Sequence, residues 1–395
     1  YSMARLLYTF DSKYLFTGTI RRDGFSGFST ANKFGVFPSL ALGWVVSQES
    51  FISSLENVNY LKLRAGYGST GNRTIGRYQT LAKVSDGYNY INAGDTPLYT
   101  KSISSLASSD LKWETTTGLD LGLDFAFFDS RISGTVDYYN NDTKDLLYDV
   151  DVPSISRYSK FPDNLGKLHN SGFEVFLSTV NIKTNDFSWQ TDFSFSRNRD
   201  SLEELLGLDN DGDGQEDDLV TEGLFIGEPL DVIYNYEITG DLYQLGDNVP
   251  TGADFGSYVI VDQNGDGEID QVNDYKILGY GSPNYRFSIG NTFTYKNWSF
   301  FAFINSIQGG KGYYTQLNDQ SETAGGFNSY GSGNHYNWSF PSSYDAWLPE
   351  NPDARYERIG AIVAPGQRGI ETMERSFVRL QDVSISYSFN PEVLN

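Results

Sequence analysis

Cysteine is absent from the 395 residues, and histidine and methionine occur only twice each. That leaves no basis for thiolate, haem or His-rich zinc chemistry, so any metal would be held by oxygen ligands. Basic residues are few: 29 Lys and Arg stand against 51 Asp and Glu, a formal charge of −22. This balance excludes a nucleic-acid partner, whose phosphates need Lys and Arg to displace counterions. The lack of disulfides fits a cytosolic chain and equally a bacterial envelope protein. Long apolar runs are missing too, which removes a transmembrane helix but leaves a membrane protein built of alternating strands.

What is present is aromatic and glycine-rich: 28 Tyr, 27 Phe and 40 Gly. In Thr117 to Phe128, Leu119, Leu121, Leu123, Phe125 and Phe127 fall on one side, and Gly118, Asp120, Gly122, Asp124 and Ala126 on the other. Strict period two predicts a strand with one apolar and one polar face. The same pattern sets Leu61, Leu63, Ala65 and Tyr67 against Lys62, Arg64, Gly66 and Gly68. It recurs with Phe193 and Phe195 against Asp192, Ser194 and Ser196, with Phe173, Val175 and Leu177, and with Phe287, Ile289 and Phe293.

A soluble sandwich also alternates, so length and spacing decide. Several segments run about ten residues or more, enough to cross a bilayer at a tilt. Tight turns at Asp11-Ser12, Asp129-Ser130, Thr184-Asn185 and Lys296-Asn297 alternate with long connections: Asp23 to Gly35, Ser69 to Lys112, Asn141 to Ser171, Asn198 to Asn284 and Ile307 to Ser376. Short turns at one end and long loops at the other predict an all-β, antiparallel transmembrane barrel. Roughly eleven strands can be counted, an odd number that leaves both edges unpaired. The chain is therefore expected to be part of a larger barrel, with strands before Tyr1 and after Asn395. Charged strand residues such as Lys62, Arg64, Asp120, Asp124 and Asp192 are expected to face the wet interior.

Specific runs carry a family resemblance. "YLFTGTIRRDGFSGF" (Tyr14 to Phe28), "FPSLALGWVVSQESF" (Phe37 to Phe51), "LKLRAGYGSTGN" (Leu61 to Asn72) and "DLKWETTTGLDLGLDFAFFDSRISGTVDYY" (Asp110 to Tyr139) resemble the barrel of SusC/RagA-type TonB-dependent transporters. "NSGFEV" (Asn170 to Val175), "WLPENPDARYERI" (Trp347 to Ile359) and "SFVRLQDVSISYSF" (Ser376 to Phe389) follow in the family's order. The resemblance implies a 22-stranded barrel around a plug, importing glycans or peptides across the outer membrane with energy relayed by TonB, beneath a SusD-like surface lipoprotein. Residues 1–395 then belong to the barrel domain, and the plug and the TonB-contacting segment are expected upstream, outside this chain.

One acidic stretch, "DQNGDGEID", has Asp262, Asn264 and Asp266 at positions 1, 3 and 5 of a calcium-type loop, followed by Gly267, Glu268 and Asp270. Alternating oxygens around a sharp glycine turn suit a hard cation that takes six to eight ligands. Position 12 is Asn273, where an EF-hand has Glu, and Asp274 follows one residue later. The flanks read as strands, so this is a calcium-type loop without an EF-hand; the family commonly carries a similar run here. A second run offers Asp209, Asp211, Asp213 and Asp217, with Val220 at position 12. The competing reading of both is a solvated Asp- and Gly-rich turn. Any bound Ca2+ is expected to be structural.

Tyr313, Tyr314, Tyr336, Trp338, Tyr344 and Trp347 crowd the last long connection, either packing it or offering faces to a substrate or lid. His169 and His335 have no nucleophile motif nearby, and no enzyme activity is expected. Two rival readings remain at this point: a barrel component of a larger envelope or secretion assembly, and a secreted calcium-stabilised β-protein that binds or hydrolyses glycans.

Overall fold

The computed structural model describes residues 1–76, 80–91, 97–151, 160–210, 212–313, 345–358, 361, 363, 369 and 371–389. In chain order its strands are β1 (Ser2–Phe10), β2 (Tyr14–Gly24), β3 (Phe34–Val45), β4 (Val58–Asn72), β5 (Lys83–Ile91), β6 (Pro97–Ser105) and β7 (Glu114–Phe127). Next come β8 (Ile132–Asp151), β9 (Lys160–Lys183), β10 (Phe187–Glu204), β11 (Val232–Tyr236), β12 (Ile238–Leu242) and β13 (Tyr258–Ile260). A one-turn helix α1 (Gln271–Asp274) precedes β14 (Tyr275–Tyr280), β15 (Tyr285–Tyr295), β16 (Trp298–Gln308), β17 (Lys311–Tyr313), β18 (Thr372–Glu374) and β19 (Phe377–Tyr387).

Eleven of these form one sheet in the order β1-β2-β3-β4-β7-β8-β9-β10-β15-β16-β19. Neighbours in the sheet follow one another in sequence once the long loops are set aside, which is the up-and-down path of a barrel wall. The tight turns lie where the alternation stops. Asp11 and Ser12 adopt left-handed φ values of 51° and 52°, the pair of conformations that matches the twist of the flanking strands. The turn after β7 takes three left-handed residues in succession, Phe128, Asp129 and Ser130.

Pairing registers confirm the two faces. Lys62 pairs with Asp124, Arg64 with Gly122 and Gly66 with Asp120, which puts the charged residues of β4 and β7 on one side. Asp137 and Tyr139 of β8 join that side opposite Gly122 and Asp120, followed by Glu174 and Gly172 of β9. On the other side, Leu63 meets Leu123 and Leu123 meets Val136. At the short-turn end that apolar side is ringed by aromatics: Tyr14 stacks on Trp44 at 6.5 Å and Trp189 on Phe293 at 5.5 Å. Such rings mark the level of the lipid headgroups on outer-membrane barrels.

The connection expected between Asn141 and Ser171 is mostly strand. β8 and β9 stay paired from Ile132↔Thr179 to Asp151↔Lys160, so they run 20 and 24 residues. A crossing needs only about 9 to 11 tilted residues, and the remainder extends beyond the bilayer, where neither face needs to be apolar. The ladder is interrupted at Asp145 and Gly166, both left-handed, between the pairs Lys144↔Lys167 and Leu146↔Leu165. Gly166 has a second reason to be glycine, since a Cβ there would collide with the Glu204 backbone. The connection from Ser69 to Lys112 likewise contains the β5–β6 hairpin.

Two compact units divide the chain. Unit 1 holds the large sheet and residues 1–230, 285–306 and 378–395. A small aromatic core within it gathers Phe25, Phe28, Phe37, Leu111 and Trp113 at the long-loop ends of β2, β3 and β7. Unit 2 comprises 231–284 and 307–377, drawn from two of the long connections. It contains the paired strands β11–β14, β12–β13 and β17–β18, around a core of Leu242, Tyr258, Trp347 and Ala354.

Candidate functional site

The polar face of the sheet is organised around Arg64. Its Nη2 lies 2.9 Å from Asp124 Oδ1 and 2.6 Å from Asp137 Oδ1, and its Nη1 is 4.0 Å from Asp120. The guanidinium crosses from β4 over β7 to β8 because Gly122 offers no side chain in its path. Further along, Ser178 Oγ donates to Asp192 Oδ1 at 2.6 Å, and the Ser194 and Ser288 hydroxyls meet at 2.5 Å. Tyr139 lies over Gly172 and donates to Asn198 Oδ1 at 2.8 Å. The expected inward residues Arg64, Asp120, Asp124 and Asp192 therefore share one face, where they form two separate polar clusters, one around Arg64 and one around Asp192.

Within unit 2, the loop from Asp262 to Asp274 is folded by its own carboxylates. Asp262 Oδ1 accepts from Gly265 N at 2.7 Å and Oδ2 from Gly267 N at 2.8 Å. Asp266 accepts from Glu268 N and from the Asn264 amide, both at 2.8 Å. Asp270 caps α1 through Val272 N and Asn273 N, and the Asn273 N–H holds its carboxyl below the usual carboxylate range. Asp274, one place beyond the EF-hand's twelfth position, is fully buried and turned inward, accepting from Gln263 N and Asp270 N at 2.8 Å each. Glu268 remains exposed.

The second run, in unit 1, repeats this pattern. Asp209 accepts from Gly212 N at 2.7 Å and Gly214 N at 3.0 Å, the same fourth and sixth positions, and Asp213 accepts from Gln215 N at 2.8 Å. Asp217 receives Asn210 N and Nδ2 at 2.7 Å. Asp211 lies outside the described residues.

The one His-carboxylate group whose ligand atoms all lie within 4.8 Å among the described residues is Asp142, His169 and Glu203. No motif announces it, because its members come from three strands and meet only through the β8–β9–β10 register. His169 Nδ1 lies 2.9 Å from Asp142 Oδ1, while the Lys167 ammonium pairs with Glu203 and approaches Asp142 at 3.9 Å. That ammonium already supplies positive charge to both carboxylates.

Trp347 has gone to packing. It is 1% exposed, and its Nε1 donates to Gln244 Oε1 at 2.9 Å. Its backbone pairs with Tyr356, closing the turn that holds Asn351 and Pro352. Tyr314, Tyr336, Trp338 and Tyr344, like His335, lie outside the described residues.

An antiparallel wall with a lipid face, an aromatic ring at its short-turn end and a charged inner face defines an outer-membrane β-barrel. The chain belongs to the TonB-dependent receptor β-barrel family: the family described as "TonB dependent receptor-like, beta-barrel" matches residues 1–305. It is 35% identical to TonB-dependent receptor P3 of Formosa agariphila over 97% of this chain and 38% of that protein. It is 32% identical to TonB-dependent receptor SusC of Bacteroides thetaiotaomicron over 81% of this chain and 32% of SusC. A structure described as the RagAB peptide transporter shares the fold, with a TM-score of 0.70 at 24% identity, covering 98% of this chain and 40% of that one. The chain thus spans well under half the length of these relatives. Membership places it among the TonB-dependent receptors of the outer membrane.

Proposed function

We propose that this chain forms part of the barrel of an active importer that carries oligomeric nutrients, glycans or peptides, across the outer membrane. The observation that carries the reading is the charged inner face around Arg64, set on strands whose outer face is apolar. A lumen lined with charge and hydroxyls suits a hydrated cargo. Similarity to SusC and to the RagAB transporter supports TonB as the energy source and a SusD-like lipoprotein as the partner. The plug and the TonB-contacting segment belong, on this reading, to parts of the protein outside residues 1–395. Calcium at Asp262, Asn264, Asp266, Glu268, Asp270 and Asp274, and more weakly at Asp209, Asp211, Asp213 and Asp217, braces the long loops; their oxygen-rich composition supports this.

Uptake by cells expressing the full-length protein tests the reading. Import predicts that accumulation of a labelled oligosaccharide or peptide stops when TonB is deleted, and that a lid lipoprotein co-purifies. TonB-independent behaviour together with co-purifying secretion proteins would assign the barrel to a secretion assembly instead.

A further inference from the structure

The lipid-facing side of β10 ends in positive charge. Register carries that side from Leu123 through Val136 and Val175 to Phe195, and Arg197 and Arg199 follow Phe195 on the same side of the strand. They face Phe173 and Ser171 of β9, which in turn face Tyr138 and Asn140 of β8. Below them this side of β10 carries Trp189, Thr191, Phe193 and Phe195, none of them charged. Arg197 and Arg199 stand eight and ten residues beyond Trp189, about 27 and 34 Å of strand. At a tilt of about 40° these lengths become about 20 and 26 Å along the membrane normal, bracketing the upper edge of an apolar band about 25 Å tall. Arg197 is exposed and makes no ion pair with another described residue. Arg199 is half-buried, its Nη1 donating to Asn198 O at 3.0 Å. Further up this face, the acids Asp142 and Glu203 are taken by His169 and Lys167. On β2 the same level is marked by Arg22, whose guanidinium lies 4.0 Å from the centroid of the Phe34 ring.

We infer that Arg197 and Arg199 bind the phosphate of an outer-leaflet lipid headgroup. The strand sets the two side chains on one face about 7 Å apart at the backbone. Two guanidiniums at that spacing can share one phosphate, the anion whose oxygens their planar forks match. Ser171 and Asn140, on the row of Arg199, supply a hydroxyl and an amide for the remaining polar atoms of the headgroup. Phe173 and Tyr138, on the row of Arg197 and each 41% exposed, offer rings to the acyl chains beneath. Charge complementarity selects the occupant: the chain carries −22 overall, yet this spot on its outer face presents arginines at the depth where lipid phosphates lie. On the import reading the plug lies against the opposite face, and β10 is flanked by β9 and β15 with β8 and β16 beyond. Lipid is therefore what this side of β10 meets. The inference rests on the sheet being a membrane wall and is independent of what the barrel carries.

Titration of the full-length protein in nonionic detergent, followed by native mass spectrometry, tests the site. The probes are lipid A, the same lipid with its phosphates removed, and inorganic phosphate. Lipid A is expected to bind about tenfold more tightly than the dephosphorylated form, with Arg197→Gln and Arg199→Gln each removing most of that difference. Lys183→Gln, which takes one positive charge from the short-turn end of β9, is expected to leave it unchanged. Equal binding of the two lipids, indifference to both arginine substitutions, or an equal loss with Lys183→Gln would overturn the inference. Displacement of lipid A by an equimolar amount of inorganic phosphate would overturn the assignment to a lipid headgroup. Lipid A binding that persists in a protein without TonB-dependent uptake would refute the import reading and leave the site standing.

Discussion

Arg64 Nη2 reaches Asp137 Oδ1 at 2.6 Å although β7 lies between their strands, and it does so across the bare backbone of Gly122. One guanidinium thereby ties three strands through carboxylates at Asp124 and Asp137. Replacing Arg64 by Met, or filling its path with Gly122→Val, should lower the unfolding free energy of the detergent-solubilised protein by roughly 2 kcal/mol, the scale of hydrogen bonds to charged groups. Gly66→Ala is the control, since its Cβ would meet only Asp120 at an ordinary 3.8 Å. Equal behaviour of the three variants would remove Arg64 from its organising role.

The outer face makes a separate prediction. Leu121→Arg places a charge against lipid and should destabilise the barrel by roughly 2–4 kcal/mol if Leu121 lies near the bilayer midplane. Thr292→Arg, on the polar face, should change stability by less than about 0.5 kcal/mol, as surface substitutions usually do. Folding titrations in lipid vesicles report both values.

Much of this geometry is legible in the residues. Leu119 to Phe127 alternate so strictly that register and face follow from them, and the turns at Asp11-Ser12 and Asp129-Ser130 fall where the alternation ends. The upper halves of β8 and β9 are harder to read: Leu146, Tyr148 and Val150 do alternate, but the run "NDTKD" before them is polar on both faces and breaks at the left-handed Asp145, so the strand does not declare its continuity. The compactness of unit 2 escapes notice for another reason: Leu242, Tyr258 and Trp347 are separated by up to about a hundred residues and meet only in the fold.

Acid should loosen unit 2 through Glu237. The Lys276 ammonium, 2.6 Å away, holds the Glu237 carboxyl below its ordinary range. A depressed folded value means the pair's contribution is complete above the ordinary carboxylate pKa and is lost as pH falls through the depressed one. Lys276→Met should therefore lower Tm at pH 7 relative to wild type, and the gap should close as acid carries the pH down through the depressed Glu237 range. A gap of constant size would show that the pair contributes nothing through charge.

Calcium should stabilise the loops if it binds them. Differential scanning fluorimetry of the full-length protein should give a higher Tm in millimolar Ca2+ than in EGTA, and Asp262→Ala should remove most of that difference. Asp209→Ala should remove less. Identical melting with and without the ion would return both runs to self-bonded turns, a role their carboxylates already fill through Gly265, Gly267, Gly212 and Gly214.

The sheet is a membrane wall with its charged face inward, and the absence of cysteine from these 395 residues allows it to be read one position at a time. Single cysteines placed from Gly118 to Phe125 in the full-length protein, labelled with a fluorophore and reconstituted with brominated lipid, report contact with acyl chains. Quenching is expected at positions 119, 121, 123 and 125 and little at 118, 120, 122 and 124. Uniform quenching, or none at all, would contradict it.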